Sequence, residues 1–197
     1  MFSFMPCAAG CGRAAISGDT LCAVHSADSR AATQRIGEYI SRHRIIKDLC
    51  AQGLKFENLN FSGRMFYGCS FAYSAFSSCV FSGAVMRMCF FEFSSFNYCD
   101  FSKGDLQFLS FAGSAINDCT FEGSELVHNN YCGTVIVNSN FNNTNLYNSR
   151  FVSSEIARSD FNNCNLKHTN FINANKENVS FKSSNSAEAI FEMEDME

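Results

Sequence analysis

The chain has 197 residues, among them 22 phenylalanines, no tryptophan and one proline, Pro6. Its formal charge of −4 is too weak to make it a strong nucleic-acid binder or a strong imitation of nucleic acid. The opening MFSFMPCAAG lacks the basic start and long apolar run of a secretion signal. No stretch approaches the ~20 apolar residues that cross a bilayer. A cytoplasmic protein is expected, whose 11 cysteines stay reduced and serve metal binding or packing rather than disulfides.

Residues 1–28 read as a small metal-binding module. Cys7, Cys11, Cys22 and His25 follow the spacing C-x3-C-x10-C-x2-H. Three thiolates and an imidazole form a tetrahedral donor set for structural Zn2+, and no carboxylate or open position argues for catalysis. Gly10, Cys11, Arg13, Leu21 and Cys22 match small zinc fingers of the C-x3-GC-x-RPA…GLC-x2-H type, which the stretch resembles. Nucleic-acid binding through this module would need a stronger basic surface: Arg13, Arg30, Arg35, Arg42, Arg44 and Lys47 stand against Asp19, Asp28, Glu38 and Asp48.

Residues 29–53 read as a helical cap. A helix is expected from Ser29 to about Ala51, with a break near Ser41 and an apolar stripe of Ile36, Tyr39, Ile40, Ile46 and Leu49. Such a helix would cover the open end of a stack of repeats that begins near Phe56 and Leu59, since stacked repeats need capped ends.

From 54 to 183 the apolar residues recur every fifth position, a period that is neither helical nor that of an alternating strand. The run Phe56, Phe61, Phe66, Phe71, Phe76, Phe81, Met86, Phe91, Phe96, Phe101 continues without a polar interruption to Phe171. Two places before each centre, with few exceptions, sits a small residue, as at Cys69, Ser74, Cys79, Ala84 and Cys89. Every twentieth residue keeps one shape: Phe61, Phe81, Phe101, Phe121, Phe141, Phe161 and Phe181 form one column, and Leu106, Leu126, Leu146 and Leu166 belong to another. Residues twenty apart must therefore stack, so four pentapeptides make one coil of a four-sided solenoid whose interior is filled by large side chains. Residues 184–197 read as a C-terminal cap through Ile190 and Phe191, followed by an acidic tail.

The stretches NTNLY at 143–147 and NCNLK at 163–167 are close to the A(D/N)LXX motif, and the repeat resembles the pentapeptide-repeat family. The resemblance implies an all-β solenoid, a right-handed quadrilateral parallel β-helix. About six coils at the usual ~4.8 Å strand spacing would give a rod of roughly 30 Å. Some members of that family imitate duplex DNA and modulate type II topoisomerases such as gyrase, which requires acidic columns. Here Glu92, Asp100, Asp105, Asp118, Glu122, Glu125, Glu155, Asp160 and Glu177 are nearly balanced by Arg64, Arg87, Lys103, Arg150, Arg158, Lys167 and Lys176.

No catalytic constellation is evident, and the chain is read as a non-enzyme. His128 and His168 point outward two coils apart, and the inward cysteines, such as Cys79, Cys99 and Cys119 in one column, fill a slot that needs a small hydrophobe. Cys132 is the thiol most exposed by phase. Outward positions should be polar, so Met65, Tyr67, Met88, Phe90, Phe93 and Phe108, with Tyr73 and Tyr98 nearby, mark a candidate protein interface. Its occupant would be a second copy of the chain or a different protein, unless the N-terminal module folds back over it. The leading functional reading is a protein–protein interaction scaffold: a rigid rod with a zinc-stabilised end.

Overall fold

The computed structural model describes residues 4–193, so positions 194–197 of the expected acidic tail lie outside the described residues. The pentapeptide sets the geometry. In nearly every pentapeptide the central residue is buried between two more exposed neighbours in an extended segment. The residue two places after each centre has a positive φ at every position from Asp48 to Ser183, whether glycine or not. A left-handed residue after each short extended segment turns the chain sharply. Four such turns in 20 residues close one coil, and the strand registers confirm the step, with Phe76 paired to both Phe56 and Phe96.

The strands are all parallel. One face stacks β1 (Ile45–Lys47), β3 (Met65–Tyr67), β5 (Val85–Arg87) and β7 (Asp105–Gln107). The face two corners away stacks seven: β2 (Lys55–Glu57), β4 (Ala75–Ser77), β6 (Ser95–Asn97), β8 (Ala115–Asn117), β9 (Val135–Val137), β10 (Glu155–Ala157) and β11 (Asn175–Glu177). Single-residue bridges, among them Asn60 with Val80 and Ser70 with Phe90, join the coils on the other two faces.

The interior is a lattice of rings. Phe101 stacks between Phe81 and Phe121 at centroid distances of 4.6 and 4.8 Å, and meets Phe96 of the next column nearly edge-on at 5.5 Å. Both arrangements suit the quadrupole of an aromatic ring. The small slot is also a hydrogen-bonding slot, which size alone does not reveal. The Ser94 hydroxyl donates to the Phe71 carbonyl at 2.9 Å and accepts the Ser74 N–H at 3.1 Å. Cysteines take the same place, with Cys79 Sγ donating to the Phe56 carbonyl at 3.5 Å and Cys119 Sγ accepting the Cys99 N–H at 3.4 Å. All 11 cysteines are free thiols. Hydrogen bonding to Cys119, helped by burial, pushes the Cys99 thiol up to about 12.

Inside the rod the Tyr131 hydroxyl lacks such a partner. Tyr131 stacks between Phe111 and Phe151, fully buried, and its hydroxyl makes no hydrogen bond. The amide of nearby Asn129 is engaged with the Leu106 carbonyl and the Leu109 N–H. Burial raises the Tyr131 hydroxyl above its usual range. Tyr131→Phe is expected to raise stability by about 1 kcal/mol, because it removes a desolvated polar group and keeps the ring; a urea melt of both chains measures it.

The helical cap is shorter than the sequence pattern suggests. Helix α1 spans Ser29–Arg42, N-capped by Asp28, whose carboxylate accepts the Ala31 N–H at 2.9 Å. His43 leaves in an extended conformation, and the Arg64 guanidinium donates to the Ser41 carbonyl at the C-terminal end. Residues expected in the helix, Ile46 and Leu49, instead belong to the first coil, where β1 pairs with β3. The solenoid thus begins before residue 54 and stacks seven coils rather than about six. Ala32, Ile36 and Ile40 of α1 join the same core as Leu54 and Phe56, closing the open end. At the other end Lys176 replaces the apolar centre, and β11 is exposed. Its ammonium sits 5.5 Å from the Phe191 ring, which stacks on Phe171.

Candidate functional site

Two features stand outside the repeat logic. The first is at the N-terminus, where Cys7, Cys11, Cys22 and His25 bring their ligand atoms within 4.8 Å of one another. Short backbone turns make this cluster: the Gly10 N–H bonds the Cys7 carbonyl, the His25 N–H bonds the Cys22 carbonyl, and Gly10 and Gly12 take positive φ. A Pro6–Ala14 bridge and a Cys22 N–H bond to Cys7 Sγ at 3.3 Å draw the two halves together.

Three of the donor separations match those around one tetrahedral ion. Metal–sulfur bonds of about 2.3 Å and metal–nitrogen bonds of about 2.0 Å demand donor separations of roughly 3.5–3.8 Å. Cys11 and Cys22 Sγ are 3.8 Å apart, and His25 Nδ1 lies 3.6 Å from Cys7 Sγ and 3.5 Å from Cys22 Sγ. The thiols divide in acidity. Burial pushes the Cys22 thiol up, but N–H donors of His25 and Val24 and hydrogen bonds to Cys11 and Cys7 outweigh it and leave it at about 6. The Cys22 N–H favours the Cys7 thiolate, yet burial and the neighbouring thiols raise Cys7 overall. A cluster with one ready thiolate and one reluctant one is compatible with a bound metal ion.

The module is fastened to the rod. Ser17 and Cys50 exchange two hydrogen bonds of 2.8 Å, and Ile16 is buried in the common core. Arg35 of α1 approaches Asp19 at 3.9 Å. The module therefore packs on the first coil, and Phe93 and Phe108 further along the rod stay exposed.

The second feature is an aromatic surface. Met88 and Phe108 are stacked corner residues on one edge of a face, 49% and 52% exposed, while Tyr73 and Phe93 hold the other edge at 63% and 60%. Phe90 lies on the face between them, bridged to Ser70 and Ser110. Met65 and Tyr67 sit round the corner on β3, half-buried. The structure thus gathers four of the six expected residues, adds Tyr73, and sets two apart. The Tyr73 and Phe93 rings stack at 5.4 Å, and the Phe93 ring lies over Gly113, where a Cβ would come within 2.6 Å of it. Phe108 stacks on His128 at 4.9 Å, and Asn148 bonds His128 at 2.8 Å, so His128 continues this ladder. The twenty-residue period already assigns these residues to two adjoining faces of the first coils.

Comparison with known proteins identifies the repeat. The pentapeptide-repeat model matches 8 copies, over residues 74–107 and 159–191. No curated protein matches the sequence. The chain is similar to HetL, a pentapeptide repeat protein involved in heterocyst differentiation regulation from the cyanobacterium Nostoc sp. strain PCC 7120: 12% identity over 80% of this chain and 95% of that one, TM-score 0.43. QnrB1, a plasmid-mediated fluoroquinolone resistance protein, shares 17% identity over 67% and 82%, TM-score 0.37. Rfr23 from the cyanobacterium Cyanothece 51142 shares 10% over 80% and 99%, TM-score 0.33. No helix among the described residues is long and apolar enough to cross a membrane. With the pentapeptide-repeat model matched at two places along the rod and the same twenty-residue register running through its coils, the rod of this chain is built of pentapeptide repeats.

Proposed function

We propose that the protein is a non-catalytic interaction scaffold that recognises a protein partner through its aromatic corners, with Zn2+ held by Cys7, Cys11, Cys22 and His25 as a structural ion. The observation that carries this reading is the choice of bulky apolar side chains at exposed corners whose turn requires a positive φ. Tyr73, Met88, Phe93 and Phe108 all have φ between 52 and 61°, a region that costs a side-chain-bearing residue roughly 1–2 kcal/mol relative to glycine. They are also 49–63% exposed, so their stacking within the chain offsets only part of that strain. Large apolar side chains kept exposed at such corners are best explained by what they bind.

The partner is a different protein or a second copy of the chain. Phe90→Ser, Phe93→Ser and Phe108→Ser together should abolish partner capture from the native host and any self-association in sedimentation, while the thermal melt of the rod stays within a few degrees. Association that survives the triple change contradicts the reading. Imitation of duplex DNA is disfavoured by charge: the longest acidic run along any column is a pair, Asp105 over Glu125, and Asp105 is ion-paired to Arg87. Inhibition or protection of gyrase in a supercoiling assay would overturn that judgement.

A further inference from the structure

Where the metal-binding module meets the rod, a groove of 680 Å³ opens, lined in part by Arg13, Val24, Gln52, Gly53 and Tyr73. Its walls come from separate parts of the chain. Gly53 is the corner residue of the first coil, and a Cβ there would lie 3.1 Å from that of Ala23, so glycine lets the module approach this closely. Val24 is 65% exposed although it stands between Cys22 and His25, whose donor atoms fix the backbone on either side. Tyr73 forms the opposite wall and continues into Phe93. On the floor the Gln52 amide donates to the Ser70 hydroxyl at 2.8 Å, which leaves its oxygen as an acceptor.

Arg13 is the only charged residue lining the groove. Among the described residues no carboxylate lies within ion-pair distance of it. An unpaired guanidinium beside an exposed valine and an exposed tyrosine is complementary to a carboxylate next to an apolar side chain. We infer that this groove binds an extended segment of a protein partner in which Asp or Glu neighbours a large aliphatic or aromatic residue. Arg13 takes the carboxylate, and Val24 and Tyr73 enclose the apolar side chain. The inference rests on the reading that the chain recognises proteins, and adds a second, sequence-selective contact beside the aromatic corners. Because one wall runs between two members of the donor set, the groove exists only when the module is folded.

The test is selection of random heptapeptides displayed on phage against the zinc-loaded full chain. Fluorescence anisotropy then measures fluorescein-labelled copies of the enriched sequences. Enrichment of an acidic residue beside Leu, Ile, Phe or Tyr is expected. Binding should weaken by about tenfold or more in Arg13→Glu and in Tyr73→Ala, stay largely intact in Arg13→Lys, and be unaffected by Phe108→Ser. Unchanged zinc content in Arg13→Glu shows that the module still folds. The inference is overturned if no such sequence is enriched, or if enriched peptides bind Arg13→Glu as tightly as the parent chain. A chain that binds these peptides but captures its partner independently of Phe90, Phe93 and Phe108 contradicts the aromatic-corner reading and leaves the groove standing.

Discussion

Replacing Phe101 with alanine is expected to destabilise the rod by about 3–5 kcal/mol, the range for truncating a fully buried phenylalanine. Phe101 has no exposed surface and touches rings in the coil before, the coil after and the neighbouring column, Phe81, Phe121 and Phe96. The stacked columns leave little room to relax, because each ring is held by backbone ladders on both sides. In a solenoid each coil is stabilised mainly by its neighbours, so a mid-rod cavity weakens two interfaces at once. Phe181, partly buried beside Phe161 and Phe191 in the last coil, should cost about 1–2 kcal/mol less on the same change. Urea midpoints of Phe101→Ala and Phe181→Ala measure the contrast, and equal losses would contradict a core built of mutually supporting layers.

The second large effect is expected at the metal set. Structural zinc sites contribute an apparent ~10–16 kcal/mol of binding energy, which in small modules is folding energy. Chelation, or Cys7→Ser with Cys11→Ser, should therefore unfold the N-terminal module while the rod keeps its β signal. Limited proteolysis should then cut within residues 7–28, and the Cys50 thiol, covered by the module and buried, should become reactive toward a thiol reagent. The pH dependence comes from the thiols. The metal requires thiolates, and since Cys7 is raised, loading must expel its proton; Cys22, at about 6, gains a competing proton only below that pH. Zinc affinity should rise with pH, about tenfold per unit for each proton released, and steepen as pH falls through 6. A metal-free module that resists protease contradicts a structural role for the ion.

Much of this was legible in the sequence for identifiable reasons. The columns could be read because a solenoid gives each side-chain shape a fixed address: Phe61 to Phe181 at twenty-residue steps needs no structural knowledge to be recognised as a stack. The clustering of Cys7, Cys11, Cys22 and His25 was legible because they lie where the repeat offers no packing reason for them. The start of the rod was obscured by Ala51, a small residue at a central position, which broke the five-residue rhythm between Ile46 and Phe56. Ile46 and Leu49 then fell equally well on a helical stripe. The hydrogen-bonding role of the small slot was hidden because serine, cysteine and threonine satisfy size and donor requirements together, as Thr169 does toward the Leu146 carbonyl. The groove at Arg13 depends on how the module docks, which no local pattern encodes.

The most direct test of recognition by the aromatic corners places a photocrosslinking residue on that surface. Phe93→p-benzoylphenylalanine should crosslink a protein partner, or a second copy of the chain, under native conditions. The same residue at Asn143, an exposed corner position of the polar later coils, should yield no specific product. Specific crosslinks from position 93 alone would place recognition on the aromatic corners. Equal crosslinking from both positions, crosslinking from position 143 alone, or none from position 93 would contradict it.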